Sequence, residues 1–440
     1  SISSWFSNLK LRASYGMMGD DNLGGLYPDF AYLSGYTYYK GQSLMPDDPF
    51  SSVKSKKVIG SAPKGIPVTT ISWMKIKLMN VGIDFGFFDN RLTGEFDLFK
   101  RMRDGIPGTP SDIMFPLETG LSALPENMNS DMTVGFDAFV KWNDKVGDLK
   151  YSVGANITFA RQKNGKRHGE IFGNAWDKYR WAQSNRWSNV VLNTDQGNAG
   201  GVWMWEVIGR FETQEQIDSY PVDQDGQNNA TVRPGDVILR DVNGDGIIND
   251  FDERPQAYAS ADWPWDSSTS NKNPLISMGI NLGFEWKGFD VAADFAGGFK
   301  NTFVADWDLK WGVTRSVNGY YYNNIDVWRH EDIFDPKSPW IPGKFPALRG
   351  QESHSGRWWN SFYTREVNYL RLRNLVVGYS LPKNWIRKVG MEQCRIYFQG
   401  TNLFCLSSLH DYGFDPEIST VNGQDYPQHK VLTLGVNVKF

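Results

Sequence analysis

No run of about 18 or more uninterrupted apolar residues occurs in this chain, so a helical membrane span is excluded. Cysteine is scarce. Cys394 and Cys405 lie far from any histidine cluster, which speaks against zinc, and an extended stretch of eleven residues would hold their Cα atoms roughly 35 Å apart, too far for a disulfide. The five histidines, His168, His330, His354, His410 and His429, show no ligand spacing, and neither a nucleophile elbow nor a phosphate-binding loop is present. No catalytic site is therefore expected, although Asp and Glu are too plentiful for a glycosidase-type carboxylate pair to be picked out or dismissed. Charge of one sign is also missing: 46 Lys and Arg face 50 Asp and Glu without a long block of either, which gives no reason to invoke nucleic acid. The start, SISSWFSNLK, has no basic segment followed by an apolar one, so no signal peptide is expected there.

What the chain does have is rings and glycine. Hydrophobic residues make up 40%, below the globular norm of roughly 45–50%, yet aromatics reach 15%, with 18 Trp, 19 Tyr, 27 Phe and 44 Gly. Transmembrane barrels show this pairing, because their apolar residues are spread over one face of each strand and their rings gather at the membrane interfaces.

Period-two alternation bears this out at the level of segments. Ile276, Met278, Ile280, Leu282, Phe284 and Trp286 alternate with Ser277, Gly279, Asn281, Gly283 and Glu285, a pattern no helix produces. Lys287-Gly288 then marks a tight hairpin into Phe289, Val291, Ala293 and Phe295. Similar hairpins are expected around Phe88-Asp89-Asn90 and around a polar turn at Asn143 to Gly147. Further strands fall near Leu9–Tyr15, 366–381, 394–404 and 430–440, and a switch of apolar phase between Leu372 and Leu375 predicts a bulge near Arg373.

Ten strands result, each about 9–15 residues long, the length a tilted strand needs to cross a bilayer. Their connections alternate between short turns and long loops, the largest being 163–273 and 300–365. Short turns on one side and long loops on the other predict an all-β transmembrane antiparallel barrel with its long side outward. A soluble β-sandwich is the weaker alternative, since its strands are shorter and loops of such length are uncommon in compact domains. Phe87, Trp142, Trp286, Phe289 and Phe440 would form an aromatic girdle at the short-turn end, and Asp84, Asp97, Asp137, Asp290 and Asp294 would line a wet interior.

Several segments, in order, resemble the C-terminal half of the SusC/RagA family of TonB-dependent outer-membrane transporters: NLKLRASYGMMG at 8–19, NVGIDFGFFDNRLTGEFDLFKR at 80–101, GINLGFEWKGFDVAADFAGG at 279–298, YLRLRNLVVGYSLP at 369–382, RIYFQGTNLF at 395–404, GFDPEIS at 413–419 and the terminal LTLGVNVKF. The resemblance implies the last ten strands of a 22-stranded barrel whose plug domain and first strands are absent here. It implies nutrient import together with a SusD-like surface lipoprotein, powered by the TonB complex through a region outside this sequence. A passive or structural barrel, a porin or an adhesion platform, is the competing expectation. Ten strands leave two edges open, and a bilayer does not tolerate open edges, so the N-terminal part of the barrel is an expected partner alongside outer-membrane lipid.

Inside the longer loop, DVNGDGIINDFD places Asp241, Asn243, Asp245, the carbonyl of Ile247, Asn249 and Asp252 at positions 1, 3, 5, 7, 9 and 12 of a calcium loop, with Gly246 at the sharp turn. Hard oxygen donors on alternate residues suit calcium in a structural role, and Ile248 is expected to point into a small apolar cluster. Asp252 departs from the usual Glu, resembling dockerin-type loops, and Glu253 offers a substitute. The competing reading is an Asx-rich turn that binds nothing. Thirteen tryptophans lie in the two largest loops: Trp176, Trp181, Trp187, Trp203, Trp205, Trp263 and Trp265 in one, Trp307, Trp311, Trp328, Trp340, Trp358 and Trp359 in the other. At least half are expected to form the loops' own cores rather than contact ligand.

Overall fold

The computed structural model describes residues 6–21, 32–42, 58–63, 66–110, 116, 123–164, 175–176, 178–179, 202–257, 274–304, 326–347, 360–410, 414–417, 426 and 428–440. Ten strands form one antiparallel sheet in which every strand pairs with its neighbours in the sequence of wall strands. They are β1 (Phe6–Asp20), β2 (Met74–Phe87), β3 (Leu92–Gly108), β4 (Glu126–Val146) and β5 (Leu149–Asn164). There follow β6 (Ile276–Trp286), β7 (Phe289–Val304), β8 (Thr364–Ser380), β9 (Gln393–Ser407) and β10 (Val431–Lys439). The all-β expectation and the strand count hold, with strands of up to 21 residues where about 15 was expected. No helix among the described residues is long and apolar enough to cross a membrane, which says nothing about crossing by strands.

The register fixes two faces. Leu11, Ile83, Phe96, Ala138 and Ile157 share one cross-strand row, and exposed Leu11, Phe96 and Ile157 mark it as an outward apolar surface. Phe96, Phe136 and Phe159 stack along the same face with ring centroids 5.8 and 5.7 Å apart. The next row, Arg12, Gly82, Asp97, Asp137 and Thr158, is polar throughout. A face that offers apolar side chains to the medium while its ladder satisfies every central peptide group is what a hydrocarbon environment demands.

The short connections follow local chemistry. Phe88, Asp89 and Asn90 all adopt positive φ, closing β2 onto β3, and Lys287 (φ 45°) and Gly288 (φ 90°) make the hairpin between β6 and β7. The polar turn expected at Asn143 to Gly147 sits farther along: β4 continues to Val146, pairs it with Leu149, and turns at Gly147-Asp148. The predicted bulge is present, because Arg373 is skipped in the register with both β7 and β9. Both cysteines are free and lie on the single extended strand β9. Rings gather at the short-turn end as expected, where Phe6 lies 4.8 Å from Phe87, Phe88 6.1 Å from Trp142 and Phe289 4.4 Å from Tyr379, centroid to centroid.

The long loops contain structure that alternation did not reveal. Residues 202–257 form a small body with strands 202–204 and 254–257 paired, strands 207–210 and 237–239 paired, and a core of Phe211, Ile217, Val232 and Ile238. A short helix, Gln214–Asp218, starts where the Thr213 hydroxyl accepts the N–H of Gln216. This body is joined to the other large loop: Ser361 N–H donates to the Trp205 carbonyl at 2.9 Å, Arg210 donates to the Gly343 carbonyl at 3.0 Å, and its guanidinium lies 4.6 Å over the Phe362 ring.

Candidate functional site

Each carboxylate expected on the interior face is there, and most are paired. The Arg12 guanidinium donates to Asp84 at 2.8 Å and to Asp97 at 2.7 Å. Arg395 donates to Asp290 at 2.9 Å, Asn281 donates to Asp294 at 2.7 Å, and Asp137 faces Asp97 with its side chain exposed. Two of these bonds skip a strand. Arg12 on β1 reaches Asp97 on β3 across Gly82 of β2, and Arg395 on β9 reaches Asp290 on β7 across Gly378 of β8. Glycine is required there: a Cβ on Gly378 would come within 2.6 Å of both partners' polar atoms. At the short-turn end the polar face opens into a cavity of about 640 Å³ lined by Lys145, Lys150, Glu285 and Asp290, with Lys150 and Glu285 paired at 3.0 Å.

The densest charge cluster was not read from the sequence as a site. Arg371 on β8 is buried, and its Nη2 donates to both oxygens of Asp415 at 2.6 Å while its Nε lies 3.1 Å from Glu417. Arg373, thrown inward by the bulge, pairs with Glu417 as well. The segment 414–417 between β9 and β10 is thereby held against the wall. It falls within GFDPEIS at 413–419, a stretch legible as a family segment, but its partners are set only by the register of β8.

The six residues predicted to hold calcium fall in one tight loop. Asp241 accepts the N–H groups of Gly244 and Gly246 at 2.7 and 2.8 Å, and Gly244 and Gly246 take the positive φ values the curl needs. Asn243 and Asn249 both direct side-chain amides at Asp245, at 2.9 and 3.4 Å. These hard donors fit calcium in kind. Asp252 is fully buried and its oxygens accept N–H groups of Val242, Asn243 and Asn249, so it braces the loop from within. Glu253 is likewise buried and Ile248 fully so. Among the described residues no group of three or more His, Cys, Asp or Glu side chains is arranged to hold a metal ion.

A second Asx-rich turn, at 223–231, supports this loop through Asp223 N–H to the Gly246 carbonyl and Ile248 N–H to the Asp223 carbonyl. Burial opposes ionisation of Asp225, but the N–H and hydroxyl of Thr231 and the N–H groups of Gln227 and Asn229 outweigh it and hold the carboxyl well below the usual carboxylate range. A depressed value means that the stabilisation is complete above the ordinary pKa near ~4 and is lost progressively as pH falls from there through the lower one. Hydrogen exchange of the 223–239 backbone should accordingly stay slow through pH 4 and accelerate in stronger acid. Asp225→Asn should abolish that acid transition and destabilise the turn by about 1–3 kcal/mol.

Four of the loop tryptophans are described with their side chains, and all four pack. Trp328 is buried, Trp205 donates to the Asn249 carbonyl at 2.8 Å, Trp340 lies 3.9 Å from His330, and Trp176 stacks on Tyr179 with Arg254 over it. Trp203 lies on the strand 202–204. Trp181, Trp187, Trp263, Trp265, Trp307, Trp311, Trp358 and Trp359, with His168 and His354, lie outside the described residues.

No protein-family model matches the chain. Among curated proteins it is 23% identical over 446 residues to the TonB-dependent receptor SusC of Bacteroides thetaiotaomicron, covering 99% of this chain and 38% of that protein. It is 22% identical over 485 residues to the TonB-dependent receptor P39 of Formosa agariphila, covering 98% of this chain and 40% of that one. Among solved structures the RagAB peptide importer in its open-open state matches with a TM-score of 0.65 at 19% identity, over 99% of this chain and 40% of that one. The closed-closed state matches at 0.61 and 20% identity, over 99% and 41%. The chain thus spans about 40% of the length of the curated relatives it matches.

Proposed function

Because the chain is a SusC/RagA-like β-barrel segment of the outer membrane, we propose that it supplies wall and outer loops to a TonB-dependent importer of a nutrient oligomer, a glycan or a peptide. The observation that carries this reading is the asymmetry of the sheet. One end carries three turns of two to four residues and one connection of twelve, 381–392, the other carries a folded body built from two loops, and a polar, ion-paired wall connects them. We place the long-loop end outside the cell, so that segments 163–273 and 300–365 face a SusD-like lipoprotein, and the remaining strands and a plug close the barrel. Mass spectrometry of the complex purified in detergent tests it. Recovery of a plug-bearing N-terminal part and a surface lipoprotein, with uptake abolished when TonB is deleted, is the expected result. Recovery of this chain alone or with copies of itself would sink the importer reading and favour a passive or structural barrel.

Calcium is part of the proposal. Asp241, Asn243, Asp245, the Ile247 carbonyl and Asn249 would hold it on the exposed side of the loop, and Asp252 would shape the loop from behind. Calcium at a hundredfold above its Kd should stabilise the loop body by about 2.7 kcal/mol relative to chelator. The same melting curve with and without calcium would refute the site, and Asp241→Asn should remove the difference.

A further inference from the structure

At the long-loop side cations enter the outward face, with Met17, Met102 and Met132 beside them in the row of Lys77. Along β2 the outward positions read Phe87, Phe85, Ile83, Val81 and Met79, and the next two are Lys77 and Lys75. Along β3 Leu98 is followed outward by Lys100, Met102 and Asp104, and along β5 Phe159 is followed by Arg161. Eight residue steps from Phe87 to Met79 cover about 27 Å along the strand, or about 20 Å of depth at the usual tilt, close to the ~25 Å apolar band of such barrels. The cations therefore begin where hydrocarbon gives way to headgroups.

Three details turn these cations into one patch. Lys100 is opposite Met79, and so diagonal to Lys77, while Arg161 shares the row of Lys100 through Val134. Asp104, paired with Lys77 at 2.7 Å, is the single carboxylate at this level on the outward face of β1–β5 among the described residues. Exposed Tyr15 and Trp73 flank the patch, Trp73 lying against Gly19, where a Cβ would meet its Cε3 at 2.7 Å. Interfacial rings of this kind sit at headgroup depth, and Lys and Arg stems extend along apolar surface to place their charges there.

We propose that Lys75, Lys77, Lys100 and Arg161 bind the phosphorylated headgroup of an anionic outer-leaflet glycolipid, whose acyl chains lie along the apolar rows below. Attachment to the leaflet favours a lipid over free phosphate, because the charges border a surface that only acyl chains would cover. The proposal rests on the orientation given above, with the long-loop end outside, and is independent of what is imported.

Native mass spectrometry of the full protein in mild detergent tests it, beside a variant carrying Lys75→Gln, Lys77→Gln, Lys100→Gln and Arg161→Gln. A control, Lys141→Gln, changes the polar face instead. Wild type and control should retain phosphorylated glycolipid, and the quadruple variant at least tenfold less at an unchanged unfolding temperature in lipid-free detergent. Added glycolipid should raise the unfolding temperature of wild type, and inorganic phosphate should not. Equal retention by the variant, or equal stabilisation by phosphate, overturns the proposal. Should the quadruple variant fail to fold, Lys100→Gln with Arg161→Gln alone must still lower retention. Selective retention of an inner-leaflet phospholipid by wild type would overturn the glycolipid assignment through the orientation, leaving the import reading to its own test.

Discussion

Arg371→Ala should lower the unfolding free energy of the detergent-solubilised barrel by about 3–5 kcal/mol, the cost of stranding buried carboxylates. The Arg371 side chain is 5% exposed and its partners Asp415 and Glu417 are 17% and 11% exposed, so water cannot take over when the guanidinium is removed. Arg373 still reaches Glu417, which protects that carboxylate and leaves Asp415 as the principal casualty. The distinction between orphaned charge and lost pairing can be measured. Arg371→Met combined with Asp415→Leu should recover most of the loss, since an apolar pair of similar volume removes the desolvation penalty together with the attraction. Arg371→Lys should fall between, because an ammonium cannot serve Asp415 and Glu417 at once as the Nη2 and Nε of the guanidinium do. Urea titration followed by tryptophan fluorescence gives all three values. A loss below about 1 kcal/mol for Arg371→Ala would mean that the segment 414–417 is not held in this way.

Gly135→Ala should be the most damaging single-methyl addition in the wall. A Cβ there would overlap the carbonyl oxygen of Phe159, lie 2.5 Å from the Phe99 ring and approach the Ala160 Cα to 3.0 Å. The carbonyl oxygen and Cα belong to the neighbouring backbone and cannot rotate aside, so β4 and β5 must part locally. Overpacking of this kind costs about 1–3 kcal/mol and more where the backbone itself must shift. Two comparisons isolate the cause. Gly82→Ala meets chiefly the movable ends of Asp97 and Arg12 and should cost less, and Gly16→Ala has nothing within 4 Å and should be neutral. Thermal unfolding of the three variants should rank them in that order, and an unperturbed Gly135→Ala would show that β4 and β5 lie farther apart at this point.

The wall was legible from residues because alternation is a local property. Ile276 to Trp286 announces β6 without reference to anything else, Lys287-Gly288 announces its turn, and the phase switch at Arg373 announces the bulge. Errors arose where polarity stood in for position. Asn143, Asp144 and Lys145 read as a turn, but a strand that has left the apolar band can carry polar residues on both faces at no cost, and β4 simply continues. The pairing of Arg371 with Asp415 was hidden for a different reason: the residues are 44 apart and meet only through strand register and the fold of a connecting segment. The loop body around Phe211 and Ile238 is built from strands of three or four residues, too short for period two to stand out. The calcium-type spacing was plain in the sequence, whereas the inward turn of Asp252 was not, since spacing carries no information about which oxygens the backbone will claim.

The two ion pairs that step across a glycine act as proofreaders of alignment. A strand displaced by one residue betrays itself by turning its apolar side chains inward, but a displacement by two restores the alternation, and hydrophobicity has no objection to it. The glycine does. If β2 slid by two residues, Asn80 or Asp84 would take the place of Gly82, and a side chain would stand in the gap that Arg12 must cross to reach Asp97. On β8 the same error would insert Val376 or Ser380 between Asp290 and Arg395. Each bond can close only when three consecutive strands are in their native alignment, so a pattern that repeats every two residues is given a unique origin.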